Sequence, residues 1–257
     1  MRKVIPIIIF EFCVLFCLAI AAIGQEPDQV TTIHVVTPEW EGYTEKDGTG
    51  VYFDLVRAVY EPAGVVMTYE IVPWKRGMEM LERKTADALL GEFYNEEFRM
   101  PRYPMDFDET SVGFKTSNIA EWTGIQALAG KTLAWLRGYN YHIEPEMAAI
   151  ECKWLEVDSP EQALKMLERG RVDGYLDTTD EIEFYLEQLQ LDAEQYQIEA
   201  LWTRNLYLRF ADTPKSDALI AIYDQRIPGL LASGELQKIF EKWDVPFPPF
   251  EPRDVSP

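Results

Sequence analysis

Few side chains in this sequence suit covalent or metal chemistry. His34 and His142 are the only histidines, and no Cys/His cluster has zinc-binding spacing. G-x-S-x-G, H-E-x-x-H and phosphate-loop patterns are missing, and "GTG" at Gly48–Gly50 is too short for a dinucleotide fingerprint. No cofactor is expected. Carboxylates are so numerous that sequence alone does not exclude an acid/base pair. What the chain does place at the ends of its apolar runs is charge and aromatic surface. Glu92, Phe93 and Tyr94 follow "ADALLG", Arg137, Gly138 and Tyr139 follow "KTLAWL", and Asp177, Thr178 and Asp180 follow "VDGYL". Arg76, in "PWKRG", either points toward the same region or pairs with acids outside it. A guanidinium pairs two-pronged with a carboxylate, and an aromatic face suits an ammonium. Cations at one strand end and an acid at another would satisfy a small zwitterion. Burying either charge without a partner costs several kcal/mol.

The elements that would carry these residues are written twice. Met80-Leu81-Glu82-Arg83 recurs as Met166-Leu167-Glu168-Arg169, and at the same spacing Asp87 falls on Asp173 and Leu90 on Leu176. Each copy reads strand, helix, strand. Val66–Val72 and Cys152–Val157 are rich in β-branched and aromatic residues. Trp74, Met78 and Leu81 share one helix face. Ser159-Pro160-Glu161-Gln162 is a helix start, with Ser159 as cap and Gln162 completing a capping box. "TIHVVTPEW" and "GKTLAWLRGY" add a strand ahead of each copy, and Phe53, Val56 and Tyr60 mark a helix that Pro62 and Gly64 end. The predicted fold class is α/β, in two lobes facing one another. Open α/β sheets bind ligands beyond the carboxyl ends of their strands. Two further helices are predicted within Ser216–Asp244, and the proline-rich "VPFPPFEPRDVSP" after them reads as an extended, mobile tail.

The composition is acidic, with 24 basic residues against 44 acidic and a net charge of -20. That argues against nucleic acid or an anionic membrane surface as partner. Met1-Arg2-Lys3, the apolar Val4–Ile23 and "AIG" at Ala22–Gly24 read as a cleaved signal peptide over residues 1–24, and so as export to a periplasm. Cys17 raises lipidation, against which stands the bulky Phe16 before it. Cys152 is the one cysteine beyond that segment, so no internal disulfide is expected and its default role is a small buried hydrophobe.

The order of "DGTGVYFDLVRAV", "VPWKRGMEMLERKTADALLG", "LAGKTLAWLRGYNY" and "YLRFADTPKSDALIAIYDQRIPGLLASGELQKIFEKW" resembles the bacterial extracytoplasmic solute-binding proteins of family 3, the polar amino-acid type. The resemblance implies a type II periplasmic-binding fold with a hinge and an interlobe cleft. Lobe 1 would be residues 25–113 plus 205–257, and lobe 2 residues 114–204. It also implies a cleft aromatic, for which Trp40 is placed, and an arginine clamping a ligand carboxylate. Arg99 lies nearest the family position, Arg102 follows it, and Arg137 stands where the family has a Gly-Thr or Gly-Ser turn. Asp177 matches the acid that holds the ligand's amino group, with Thr178 and Asp180 as neighbouring registers; a helix N-cap is the competing role for these residues. The implied activity is capture of a small polar solute by a monomer that presents its closed form to a membrane permease. The alternatives are presentation to a membrane sensor, or a dehydratase-like enzyme on the same fold.

Overall fold

The computed structural model of the protein describes residues 30–253, so the expected signal peptide lies outside the described residues. From Thr32 the chain forms β1 (Thr32–Thr37), α1 (Val51–Tyr60), β2 (Val66–Ile71), α2 (Trp74–Glu82), β3 (Ala88–Phe93) and the long β4 (Asp106–Lys115). A second series follows: β5 (Thr132–Leu136), the short α3 (Pro145–Ala148), β6 (Lys153–Val157), α4 (Pro160–Glu168), β7 (Gly174–Thr178) and α5 (Thr179–Gln188). β8 (Tyr196–Phe210) runs back, and α6 (Pro214–Ser233) and α7 (Glu235–Trp243) complete the order. The strands join one curled sheet in the order β2-β1-β3-β8-β4-β7-β5-β6. β4 and β8 pair antiparallel along their length. β3 adds to the Leu206–Phe210 end of β8, and β7 to the Thr110–Phe114 part of β4. These two long strands therefore pass through both lobes, with a register shift between Thr110 and Ser111.

The repeated sequence is a repeated piece of geometry. β2, α2 and β3 correspond to β6, α4 and β7 at the spacing that separates Met80 from Met166. Both helices end the same way: Thr85 N donates to Met80 O and Arg171 N to Met166 O, each at 2.9 Å. The chain passes between them through a left-handed residue, Lys84 or Gly170. The conserved spacing of the aspartates has a cause too. Asp87 Oδ2 accepts the His34 amide at 2.7 Å, and Asp173 Oδ2 accepts the Thr132 amide at 2.8 Å. Each aspartate so ties its strand to the first residues of the neighbouring parallel strand. Ser159 caps α4 as expected, accepting from Gln162 N at 3.2 Å. The Gln162 side chain reaches one residue beyond the reciprocal position, to the Asp158 amide at 3.0 Å.

Each lobe buries a core on both sheet faces. In lobe 1, Phe53, Leu55, Val56 and Val59 of α1 pack with Ile33, Val35 and the inner stripe of α6 and α7, while α2 covers Val36 and Leu89. In lobe 2, α4 and α5 cover Ala134 and Tyr175, and the opposite face is filled by Trp135, Phe114 and Tyr141. Cys152 is a free, half-buried thiol at the edge of that second cluster. The tail departs from expectation. Phe247 and Phe250 pack on Phe240, and the Arg253 guanidinium donates to Met100 O, Pro101 O and Tyr94 Oη. Aromatic residues between the prolines anchor the segment, so through Arg253 it is fastened to lobe 1 rather than free.

Candidate functional site

The lobe 1 wall is built by the turn after β1. Trp40 N donates to Thr44 Oγ1 at 3.1 Å, Thr44 Oγ1 donates to Pro38 O at 2.7 Å, and Thr44 N closes back on Trp40 O at 2.8 Å. This knot lays the Trp40 indole over Gly91, where a Cβ would come within 3.2 Å of the ring. Gly91 also has φ 83°, so a side chain there meets both strain and a clash. Tyr52 lies 6.2 Å from Trp40 and 5.0 Å from Tyr43, ring to ring, and its hydroxyl donates to Asp106 Oδ2 at 2.8 Å.

The lobe 2 wall comes from the carboxyl ends of β5 and β7. Tyr139 and Tyr141 lie 5.6 Å apart, and the Tyr139 ring is 6.1 Å from Trp74 of lobe 1. Trp74 in turn is 6.0 Å from Trp40, so aromatic rings run from one lobe to the other. Gly138 sits at the contact. A Cβ there would lie 3.2 Å from Met78, 3.4 Å from Trp74 and 3.5 Å from Lys75, on a backbone with φ 90°. Gly138→Ala is therefore expected to strain this turn and to destabilise the fold by about 1 kcal/mol or more, with the far-ultraviolet spectrum unchanged. An unchanged melting temperature by scanning calorimetry would show that the turn relaxes at no cost. Below, the buried Asp177 accepts the Thr178 amide at 2.9 Å on Oδ1 and the Tyr175 hydroxyl on Oδ2. Thr178 itself caps α5, accepting from Glu181 N at 3.1 Å.

Carboxylates dominate the electrostatics. Burial pushes Asp106 up to about 7, against the lowering effect of hydrogen bonds from Tyr52 and the Phe107 amide. Burial does the same to Asp108, to about 7, with the charges of Asp177 and Asp106 adding to it. Asp177 rises to about 6 by burial, opposed by Tyr175 and the Thr178 amide. Glu181 rises to about 8 by burial and the nearby charges of Asp177, Glu41 and Asp180. Among the described residues none of these four has an ion-pair partner. Among the described residues Asp108 Oδ1 is buried with no hydrogen-bond partner, while Oδ2 accepts from Thr110 Oγ1 at 3.5 Å. Arg204 stands opposite Asp108 across the β4–β8 ladder, but its guanidinium is held by Glu144 at 3.3 Å and Glu146 at 2.7 Å and lies over Trp202.

The expected site residues divide. Trp40, Tyr139 and Asp177 come together between the lobes, with Thr178 at the cap beside them. Phe93 is partly buried against the cores of both lobes. Tyr94 is 47% exposed and lies under Arg253 and beside Tyr207. Asp180 is exposed in the first turn of α5. The arginines turn outward. Arg99 pairs with Asp212 and Asp217, Arg137 with Asp158 and Glu156, and Arg76 with Glu70. Arg102 is exposed, its backbone amide held by Asp224 at 2.7 Å. Each has acids within reach on the surface, where its hydration is retained. Sequence reading missed Asp106, Asp108, Trp74 and Glu181. The signal for the first two was "MDFDETS", where Asp106, Asp108 and Thr110 alternate along a strand at the centre of the sheet and so share one face.

The family of bacterial extracellular solute-binding proteins, family 3, matches residues 33–246. No curated protein matches the chain in sequence. Among solved structures, the chain is similar to an arginine-binding protein variant from T. maritima, at 18% identity and a TM-score of 0.66 over 83% of this chain and 95% of that one. It is similar to a histidine-bound substrate-binding protein of an ABC uptake transporter from Streptococcus pneumoniae, at 21% identity and TM-score 0.65 over 83% and 92%. It is similar as well to a histidine kinase sensor domain, at 17% identity and TM-score 0.69 over 84% and 97%. At these identities the likeness is one of fold: two lobes of the type II periplasmic-binding kind. With the family matched over most of its length, the chain belongs to the bacterial extracellular solute-binding proteins, family 3.

Proposed function

We propose that this protein captures a small, polar, amine-bearing solute between its lobes and presents the closed form to an ABC-type transporter outside the cytoplasmic membrane. The observation that carries this reading is the meeting of Trp74 and Met78 of lobe 1 with Gly138 and Tyr139 of lobe 2, directly beside buried carboxylates without cationic partners. Such groups are costly in an empty protein and useful when a ligand arrives between them. We place the hinge where β4 and β8 cross, near residues 106–110 and 202–206, a few residues from the boundaries expected from sequence. The histidine kinase sensor domain of the same fold favours the second reading, delivery to a membrane sensor.

A thermal-shift screen of the chain from residue 25 onward tests capture. A solute at a hundred times its dissociation constant adds about 2.7 kcal/mol, on the order of 5–10 °C for this size. Small-angle scattering should record a fall in radius of gyration with the same compound. No shift with any amino acid, amine, organic acid or sugar would sink the reading.

A further inference from the structure

Between the lobes lie buried acids that, among the described residues, have no cationic partner. Asp106 and Asp177 are each 3% exposed, and Asp108 Oδ1 is buried and unpartnered. The charge of Glu41, from lobe 1, adds to the pressure on Glu181 of lobe 2. Above these acids the rings of Trp40, Trp74, Tyr139 and Tyr141 follow one another at 6.0, 6.1 and 5.6 Å. Aromatic faces and carboxylates attract the same kind of guest, a cation. No group of three or more His, Cys, Asp or Glu side chains among the described residues is arranged to hold a metal ion.

Among the described residues, the arginines near the gap are engaged elsewhere and are not free to meet a carboxylate on that guest; Lys75, beside Gly138, is an exposed cation at the rim, where it keeps its hydration. Arg76, Arg99 and Arg137 are paired on the surface, and Arg204 is already shared between Glu144 and Glu146. Brought into the gap, a ligand carboxylate would lose its hydration beside like charges.

We propose that the cleft selects a small organic cation, an amine or guanidine, that carries no carboxylate. This rests on the solute-capture reading and narrows it: the ligand resembles a decarboxylated basic amino acid rather than the amino acid itself.

The test is paired titration calorimetry on the whole chain from residue 25, with arginine against agmatine and lysine against cadaverine, each pair differing by one carboxylate. Agmatine or cadaverine should bind at least tenfold more tightly than its partner, and Arg204→Gln should not weaken it. Tighter binding of arginine or lysine, lost in Arg204→Gln, would overturn the proposal while leaving solute capture intact; Arg204 would then have left its glutamates to clamp the carboxylate. Binding of calcium chloride alone, with no response to either amine, would overturn it in favour of a metal site. If none of these compounds binds, the proposal falls; the wider screen above then decides whether capture itself falls with it.

Discussion

Asp108→Asn is expected to melt higher than the parent protein at pH 8 and to bind its solute more weakly, by about thirtyfold or more. The two effects share one cause. Asp108 Oδ1 is buried without a hydrogen-bond partner and lies near Asp177 and Asp106. In the unfolded chain the carboxyl ionises near 3.8, and in the folded protein only near 7. At pH 8 its charge therefore opposes folding by an amount on the order of 4 kcal/mol at most. Asparagine removes the charge but still needs hydration or a partner for its amide, so the net gain is about 1–2 kcal/mol. For a chain of this size that is roughly 2–8 °C. The same substitution leaves a desolvated cationic ligand short of one counter-charge, a loss on the order of 2–5 kcal/mol. Scanning calorimetry and titration calorimetry read the two halves separately. An unchanged melting point with full affinity would place Asp108 outside the site.

Acidification should move stability and binding in opposite directions. The relevant groups are Asp106, Asp108, Asp177 and Glu181, whose folded pKa values lie at about 7, 7, 6 and 8. Asp180, Glu41 and Glu109 stand nearby, and the phenols of Tyr43, Tyr52, Tyr139, Tyr141 and Tyr175 stay neutral because burial raises them further. A carboxyl with a raised folded pKa holds its proton in the native state after the unfolded state has released it. Unfolding then releases protons, and stability falls as pH rises between the two pKa values. The ligand-free protein should accordingly gain stability as pH drops from about 8 to 5. Affinity for a cation should drop over the same interval, because protonation removes the charges that hold it. Below about 4 the trend in stability reverses, as Asp47, Asp212 and Glu168, whose folded pKa values are lowered by hydrogen bonds, lose the ionised forms that favour folding. A melting temperature that rises steadily from pH 5 to 8 would show the cleft acids to be hydrated after all.

The elements were readable because their causes are local. The repeated strand, helix and strand show in apolar spacing and in the aspartates that immediately precede β3 and β7. The cap of α4 shows in Ser159. The rule that α/β sheets gather function at strand ends pointed to the residues after β5 and β7, Tyr139 among them, while Trp40 and Asp177 were expected from the family resemblance. The arginines were not readable in this way. Arg99 finds Asp212 and Asp217 more than a hundred residues away, and nothing near Arg99 in sequence announces them. Arg137 finds Asp158 and Glu156 only because β5 and β6 pair in their particular register. Asp106 and Asp108 carry no strand-end signal, because they lie at the amino end of β4, a strand that runs from lobe to lobe, and not after a carboxyl end.

The like charges of Glu41 and Glu181, one on each lobe, bear on timing. Their mutual repulsion favours the gaping form of an empty molecule, and the acidic exterior draws cations toward it. Brine shortens the reach of both effects, to about 8 Å at physiological strength and less above it. Encounters should then slow, and vacant molecules should shut more often, while the dwell time of a solute already enclosed among the rings stays nearly the same.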